Sequence, residues 1–500
     1  MLAAAVAALA WVNVDASSYG SLWETTLSID LGGRGVSLEL REWVNSGLMT
    51  FFFFVLGLEA RREFDLGELR ERRRFALPLL AALGGMAAAV AIYLAFNAGG
   101  SSAHGWGIAM STDTAFALGL LALVGPRFPD RLRAFMLTVV VVDDILALVV
   151  IAAVYTEEVN LSALLAAAGL FGAVLVARAL GVRVGLIYFA LGAAVWVALL
   201  ESGIEPVVVG LAMGLLAYAY PAARSDLERA TERFREFREQ PTQELARSVG
   251  ERLRAAVSPN ERLQQLYHPW TSYVIVPLFA LANAGIAIDG GFLARAFTSP
   301  ITLGILVGYV IGKPVGILGS SWLLTRLSRG RLRPPVGWAA VAGGGTIAGI
   351  GFTVALLVAT LAFQGSQLDE AKLGILSAAL GASILTWLLF RATALLPRRL
   401  RIRALLGIAE PLVDLYTDVD PERDHIRGPH DAPVTVVEYG DFECPYCGQA
   451  VDTAELSGVS GTPTFFINGR RHYGAYDIAT LSAAVRAAGA QASLATVTRG

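Results

Sequence analysis

The chain has 500 residues, of which 55% are hydrophobic and 16% are charged, and its mean hydropathy is +0.56. The net charge of −2 gives no indication of a charged partner, and we expect no nucleic-acid partner. Apolar segments of about 20 residues, the length that spans a bilayer, recur along most of the sequence. The composition therefore predicts a polytopic α-helical membrane protein and argues against a soluble globular one.

The apolar segments give about twelve spans. Residues 1–13 are apolar but short, and we interpret them as a first helix because no basic region precedes them as in a signal peptide. Residues 15–44 are polar and aromatic, as in an external loop. Eleven further apolar segments lie near residues 48–58, 75–97, 104–125, 133–154, 161–180, 184–200, 204–220, 270–289, 300–325, 336–363 and 372–396.

The distribution of arginine predicts the orientation of these segments. Alternate connections are basic, and the connections between them are poor in arginine and often acidic. Arg34 and Arg41, in the first outer loop, are exceptions. The pattern fits twelve spans with the N- and C-termini both in the cytoplasm.

The longest connection, residues 221–268, is then cytoplasmic. Its central part, residues 226–257, is rich in arginine and glutamate, with apolar residues such as Phe234 and Leu245 interspersed. This pattern favours a solvated helical hairpin or a helix that lies on the membrane surface.

Two adjacent carboxylates, Asp143 and Asp144, lie near the middle of the apolar run of residues 135–154. A single charge at that depth costs about 2.5–3.5 kcal/mol, and ionisable groups within membrane segments usually serve function. Neighbouring residues on a helix point about 100° apart, so one carboxylate can face a cavity while the other faces a partner. The alternative is a structural pair that is protonated or salt-bridged.

Two other segments suggest interrupted helices. Residues 111–119 (STDTAFALG) put Asp113 between hydroxyl side chains in the fourth segment, and residues 343–353 (GGGTIAGIGFT) make the eleventh segment dense in glycine. Interrupted helices in oppositely directed segments are typical of an inverted-repeat transporter with its site at mid-membrane. Glycine-rich membrane helices also occur for close packing alone, so the glycines by themselves do not decide between these interpretations.

The ends of half-helices present backbone dipoles that charged side chains can offset. Asp113 could offset positive N-terminal ends. Lys313, in the GKP sequence of the tenth segment, could offset negative C-terminal ends or pair with an aspartate.

Carboxylates, hydroxyls and backbone carbonyls are hard oxygen ligands that suit a small hard cation. Because the same carboxylates bind protons, a site that holds either a cation or protons couples the two fluxes by competition. This chemistry is that of a cation/proton antiporter, which is a secondary transporter and needs no cofactor. A channel that uses the same acids is an alternative, and it would conduct without proton exchange.

Residues 1–404 resemble the NhaA family of sodium/proton antiporters. The resemblance rests on short sequences that follow one another along most of the membrane region. They are residues 53–63 (FFVLGLEARRE), 111–119, 140–145 (VVVDDI), 268–270 (HPW), 277–285 (PLFALANAG), 312–314 (GKP) and 349–353 (GIGFT).

The resemblance implies specific roles at the ion site. Asp144 would be the principal carboxylate for ion and proton, and Asp143 would be its neighbour, paired with Lys313. Thr112 and Asp113 would line the site where the interrupted helices cross. The transported Na+ would thus meet Asp144, Asp143, Asp113 and Thr112.

The resemblance also implies a cytoplasmic funnel and a pH response that involve Glu59, Arg62 and His268. Here the sequence departs from the family, because the acid expected shortly before the HPW sequence is replaced by Gln264. The set-point of the pH response is therefore open.

The resemblance implies electrogenic exchange of cytoplasmic Na+ or Li+ for external protons, serving pH and sodium homeostasis. The expected location is the bacterial inner membrane. The partners of the protein would be these ions, the lipid bilayer and a second copy in a homodimer. No cofactor is expected.

The composition changes after the last apolar segment. Residues 405–432 are acidic and contain proline, as in a linker, and residues 434–448 read as a buried strand that leads into a CxxC sequence at Cys444 and Cys447. A helix N-terminus would lower the pKa of the Cys444 thiol and make it the attacking thiolate. Pro463 lies in a GTPTFFING sequence that resembles the cis-proline loop of thioredoxin folds.

Residues 433–500 thus resemble a DsbA-like thioredoxin domain, but a shortened one. Only 15 residues separate Cys447 from Pro463, where the family places a further strand and a helical insertion. A three-stranded remnant with a small core and residues 476–488 as a closing helix is what remains. A zinc site is disfavoured because no second pair of ligands is suitably spaced.

The tail supplies the second function hypothesis, a membrane-tethered thiol-disulfide oxidoreductase that uses its spans as an anchor. Twelve spans with four embedded ionisable groups exceed what an anchor needs, so the antiporter is favoured.

We expect truncation after residue 404 to leave Na+/H+ exchange and its pH profile unchanged, because no span or candidate ion ligand lies beyond that point. Exchange measured in everted vesicles with a pH-sensitive dye checks this expectation. A truncated protein that reaches the membrane in normal amount yet loses exchange would contradict it. Labelling of Cys444 in intact cells by an impermeant thiol reagent would contradict the cytoplasmic placement of the tail.

Overall fold

The structure is a computed structural model of residues 1–500, and it describes the whole chain apart from a set of short segments and most of the tail. The residues left out are 32–33, 67–71, 114–115, 118, 121–129, 157–158, 183, 221–223, 330–331, 335, 398–399, 402–403, 406–434, 440–463, 468–469, 472–481, 483–484, 487 and 489–500. The chain divides into two compact units, Met1–Gly407 and Ile408–Gly500.

The first unit is almost entirely helical. Its α-helices are α1 (Leu2–Val14), α2 (Ala16–Trp23), α3 (Leu40–Glu42), α4 (Met49–Leu66), α5 (Arg72–Asn97), α6 (Asp130–Val154), α7 (Leu161–Ala179), α8 (Gly185–Ser202), α9 (Val208–Leu216), α10 (Arg224–Glu239), α11 (Gln243–Ala256), α12 (Pro259–Trp270), α13 (Val276–Asn283), α14 (Gly290–Ala296), α15 (Pro300–Val307), α16 (Lys313–Leu327), α17 (Trp338–Ala348), α18 (Thr353–Ala362) and α19 (Gly365–Ala394). A 3₁₀-helix covers Ser101–Ala109, and π-helical turns at Trp43–Leu48, Thr271–Ile275 and Gly308–Gly312 join α3 to α4, α12 to α13 and α15 to α16.

Among the described residues, seven helical segments are long and apolar enough to cross a membrane, or up to nine if each of two bent helix pairs is one span. The seven are Leu40–Asp65, Ala76–Asn97, Phe135–Val154, Leu161–Ala179, Gly185–Ser202, Pro300–Leu327 and Gly365–Ala394, and the bent pairs are α1 with α2 and α17 with α18. They confirm a polytopic helical membrane protein. The number twelve remains a prediction, since α9 has only nine residues and the fourth segment is described only in part.

Both predicted helix interruptions are present. The 3₁₀-helix Ser101–Ala109 stops before Met110, and residues 111–113 are not helical. In the eleventh segment, α17 ends at Ala348 and α18 begins at Thr353, with a bend of 43° between them. The glycine-rich sequence therefore marks a real break in the helix.

The long connection of residues 221–268 contains the helical hairpin that its charge pattern favours, formed by α10 and α11. The stretch of residues 15–44, expected to be an external loop, is more regular than predicted. It contains α2 and an antiparallel hairpin of β1 (Thr26–Leu31) and β2 (Arg34–Glu39). Polar and apolar side chains alternate in both strands, and this period of two favours strands. The polar composition of the whole stretch favours a loop instead.

The second unit contains three short strands, β3 (Val436–Tyr439), β4 (Thr464–Ile467) and β5 (Arg470–Arg471), in an antiparallel sheet of that order. The residues that would carry redox chemistry, Cys444, Cys447 and Pro463, lie outside the described residues, as does most of the predicted closing helix.

Helices α4 and α9 meet through glycines rather than through large side chains. A Cβ atom at Gly214 would overlap the carbonyl oxygen of Phe54, and a Cβ at Gly210 would overlap that of Thr50. Small residues allow membrane helices to approach to backbone contact. This contact holds the helix that carries Glu59 and Arg62.

We expect Gly214→Ala to lower the free energy of unfolding by roughly 1–3 kcal/mol, because the added methyl group must push the two helices apart. Thermal melting in detergent measures the effect. Gly172→Ala in α7 is the matched control, because nothing lies within 4 Å of the Cβ position there. Equal melting temperatures for the two variants would show that α4 and α9 separate at no cost.

Candidate functional site

The two interrupted segments meet at Asp113. The backbone N–H of Asp113 donates to the carbonyl of Ile350 over 2.7 Å. Its carboxylate accepts from the backbone N–H and the hydroxyl of Thr353, at 3.1 and 2.9 Å, and from the N–H of Phe116 at 3.0 Å. Thr353 is the first residue of α18, so this carboxylate lies at the positive end of that half-helix, where a negative charge is stabilised.

The neighbouring side chain, Thr112, connects three parts of the site. Its hydroxyl oxygen lies 2.7 Å from Oδ2 of Asp143, 2.8 Å from the carbonyl oxygen of Ala348 and 2.7 Å from Nζ of Lys313. Ala348 is the last residue of α17, whose final carbonyls have no partner within the helix. The lysine donates to the hydroxyl, and the hydroxyl has one proton for its two acceptors.

Of the two kinds of partner that the sequence left open for Lys313, the structure gives it an aspartate. Its Nζ lies 2.6 Å from Oδ2 of Asp143, with the lysine 0% and the aspartate 1% exposed. Oδ1 of Asp143 is also buried and accepts no hydrogen bond from the part of the chain that the structure describes. A buried pair of this kind requires close geometry and further hydrogen bonds to offset desolvation, and Thr112 provides one of them.

Asp144, the other carboxylate of the pair, is 1% exposed and lies on α6. Thr112 and Asp113 are also buried, at 1% and 3% exposure. The site therefore collects carboxylate, hydroxyl and main-chain carbonyl oxygens away from bulk water. Within the described ranges, no three His, Cys, Asp or Glu side chains are close enough to hold a metal ion among themselves.

The residues assigned to the pH response lie apart from this cluster. Glu59 is half-buried on α4, Arg62 follows one turn later and is exposed, and His268 is exposed near the end of α12. Within the described part of the chain, none of the three contributes a hydrogen bond or an ion pair to the cluster around Lys313.

Three of the buried polar side chains that had no role in the sequence analysis make contacts between distant segments. Asn260 is 0% exposed and donates to the carbonyls of Leu58 and Ala217, which ties α12 to α4 beside Glu59. Gln264 donates to the side-chain oxygen of Asn260. Besides Asn260, the other two of the three side chains are Thr353, described above, and Tyr309. A polar residue inside an apolar segment is the sequence signal for Thr353 and Tyr309, whereas Asn260 lies in the polar connection of residues 221–268 and gives no such signal.

The model of the family Na+/H+ antiporter 1 matches residues 1–390. The chain belongs to the NhaA family of Na+/H+ antiporters. Members of this family are secondary transporters rather than enzymes, and they transport ions without a cofactor. The NhaA chain is thus a multi-pass membrane protein with Na+/H+ antiporter function, and its membrane-tethered oxidoreductase alternative is not favoured. The thioredoxin family model matches residues 420–454, so the chain also carries a thioredoxin-like domain at its C-terminal end.

Three relatives illustrate how far the similarity extends. The NhaA 1 antiporter of Salinispora arenicola is 54% identical over 98% of this chain and 89% of its own length, and the NhaA 3 antiporter of Salinispora tropica is 53% identical over 99% and 90%. The NhaA 1 antiporter of Mycolicibacterium gilvum is 43% identical over 90% of this chain and 72% of its own length. The alignment with the Salinispora arenicola protein has 583 positions, so at least 83 of them have no residue in this chain of 500.

We expect Lys313→Ala to destabilise this NhaA protein, because it leaves the buried Asp143 carboxylate without its cation. Removal of one partner of a buried pair costs about 3–5 kcal/mol in soluble proteins. Thermal melting in detergent should show a clear fall relative to the unsubstituted protein.

The matched control is the double variant Lys313→Ala with Asp143→Asn, which removes the remaining charge and should recover part of the lost stability. A single variant as stable as the original would mean that Lys313 is solvated, contrary to its burial.

Proposed function

We propose that this antiporter exchanges cytoplasmic Na+ or Li+ for external protons, electrogenically, at the buried aspartates of α6. Asp144 is the principal carboxylate for both the ion and the proton. The observation that carries the proposal is the fully buried pair of Lys313 and Asp143, directly beside Asp144 and bonded to Thr112 at the crossing of the interrupted segments.

The mechanism is competition for the same oxygens. A small hard cation binds ionised carboxylates, hydroxyls and carbonyls, whereas protonation removes the negative charge that holds it. Because the site holds the cation or protons but never both, the movement of one drives the other. Two adjacent carboxylates can take up two protons as one Na+ leaves, so that net charge crosses the membrane in each cycle.

The other residues of the cluster support Asp144. Asp143 balances the charge of Lys313, and Thr112 and Asp113 line the site. The hydrogen bonds of Asp113 to Thr353 and Phe116 support a role in fixing the half-helix ends. The ammonium group of Lys313 lies close enough to respond to a change of charge on Asp143.

Glu59, Arg62 and His268 line the cytoplasmic entrance and set the pH response in this proposal. The exposure of Arg62 and His268 and the half-burial of Glu59 support contact with water. Gln264 replaces an acid of the family and bonds to Asn260 instead, so the response to pH relies on the remaining three.

We further propose that the protein lies in the bacterial inner membrane as a homodimer, with both termini in the cytoplasm. Residues 1–404 form the antiporter domain, 405–432 the linker and 433–500 the shortened thioredoxin-like domain. In a reducing cytosol, a disulfide between Cys444 and Cys447 would be transient or redox-sensing rather than structural. Pro463 would be the cis-proline of the thioredoxin-like domain.

Asp144→Asn tests the proposal. The variant keeps the size of the side chain but loses the charge, so we expect it to abolish Na+-dependent proton movement. Asp143→Asn should impair exchange strongly but incompletely, because part of the role of Asp143 is to balance Lys313. Purified protein in liposomes that contain a pH-sensitive dye reports exchange when Na+ or Li+ is added.

Asp30→Asn in β1 is the matched control, because it removes an exposed carboxylate outside the cluster and should leave exchange near its original rate. Exchange that persists in the Asp144 variant at normal membrane abundance would refute the proposed site. Na+ flux without proton movement in the unsubstituted protein would favour a channel.

A further inference from the structure

Tyr309 lies in the first unit, in the π-helical turn Gly308–Gly312 that joins α15 to α16. It is 0% exposed and is among the largest fully buried side chains of the described residues. Four residues later in the chain comes Lys313. Neither the proposed ion site nor the family resemblance assigns Tyr309 a role.

The hydroxyl group of Tyr309 holds the fourth segment. It donates a hydrogen bond to the carbonyl of Ile108, in the last turn of the 3₁₀-helix, and its oxygen lies 3.4 Å from Oγ of Ser111. A tyrosine hydroxyl can donate one hydrogen bond and accept another, so it can donate to Ile108 and accept from Ser111 at the same time. Ser111 directly precedes Thr112 and Asp113, so these bonds hold the segment that carries two residues of the site.

The same side chain is in contact with the eleventh segment. A Cβ atom at Gly351 would overlap the hydroxyl of Tyr309, and a Cβ at Gly349 would overlap its carbonyl oxygen. Both glycines belong to the break between α17 and α18. The break is therefore packed against Tyr309 at both ends. Gly351 lies against the side chain of Tyr309, and Gly349 lies against its main-chain carbonyl.

The ring of Tyr309 also lies near the charge of the site. Its centroid is 5.9 Å from Nζ of Lys313, within the distance at which a cation is attracted to an aromatic face. One side chain thus meets the fourth segment, the eleventh segment and the lysine.

We propose that Tyr309 is a positioning residue that fixes the two interrupted segments relative to each other and to Lys313, and thereby sets the affinity of the site for Na+. This inference rests on the proposed function of the aspartate site. Tyr309 does not bind the ion; it acts through residues 111–113 and through the break after α17. Its hydroxyl is the part that joins the two segments.

A second tyrosine separates positioning from general packing. Tyr155, which follows α6, is 9% exposed, donates to the carbonyl of His104 over 2.9 Å and accepts from the N–H of Gly107 over 3.0 Å. Its hydroxyl therefore holds the same 3₁₀-helix as that of Tyr309, again by bonds to the backbone. Both of its bonds stay within that helix and neither reaches the eleventh segment.

The experiment compares Tyr309→Phe with Tyr155→Phe in proteoliposomes. Both variants lose one buried hydroxyl that bonds to the 3₁₀-helix, so both should lose thermal stability to a similar extent. We expect Tyr309→Phe alone to raise the apparent KM for Na+ by about three- to tenfold, as for the loss of one net hydrogen bond, with the maximal rate changed less than about twofold. Tyr155→Phe should leave the KM for Na+ within about twofold of the original.

Stabilisation of the detergent-solubilised protein against heat by added Na+ is a second measurement, which does not depend on transport. The Na+ concentration that gives half of this stabilisation should rise in Tyr309→Phe and not in Tyr155→Phe. Equal values for the two variants in both measurements would overturn the role of Tyr309 while leaving the aspartate site intact. Exchange that survives Asp144→Asn would instead overturn the site, and with it the inference that rests on it.

Discussion

The contact between the Lys313 ammonium and the Asp143 carboxylate is the interaction on which the rest of the membrane unit depends. Two opposite charges at 2.6 Å with no exposure to water are tolerable in a bilayer only if each stays in reach of the other. Asp143 comes from α6, Lys313 begins α16, and Thr112 comes from the interrupted fourth segment. These three elements must therefore pack so that Asp143, Lys313 and Thr112 stay within hydrogen-bond distance of one another.

Glycines make that packing attainable. At Gly345 in α17 a Cβ atom would lie 3.0 Å from Cα of Pro314, the residue after Lys313, so the two helices approach almost to backbone contact. At Gly343 a Cβ would overlap the ring of Phe390 in α19. The glycine-rich sequence serves both purposes that its composition allows, because α17 packs closely along its length and the helix breaks at its end.

Much of this arrangement could be predicted from the sequence, because embedded charges are few and each needs a partner. Apolar length identified the membrane segments, and polar residues inside them identified Asp113, Asp143, Asp144 and Lys313 as candidates for the site. The sequence could not decide whether Lys313 pairs with an aspartate or offsets the negative C-terminal end of a half-helix, since both alternatives place a cation in an apolar segment.

What the sequence could not provide is the set of contacts between distant segments. Tyr309 looks like one more aromatic residue in an apolar run, and Asn260 like a polar residue at a helix start; only the fold brings them against Ile108 and Leu58. The hairpin of β1 and β2 was missed for a different reason. Its polar composition predicts a loop, whereas the alternation of polar and apolar side chains in residues 26–31 predicts a strand.

Thr112 has a single hydroxyl proton and two acceptors, Asp143 on α6 and the carbonyl of Ala348 at the end of α17. An ionised carboxylate is the stronger acceptor, so the proton points to Asp143 while that group is charged and turns to Ala348 once it is neutral. Rotation of the Thr112 hydroxyl about its C–O bond would thus couple the charge of Asp143 on α6 to the hydrogen bonding of the last residue of α17. The end of α17 is thereby linked to the charge of Asp143 through a single hydroxyl group.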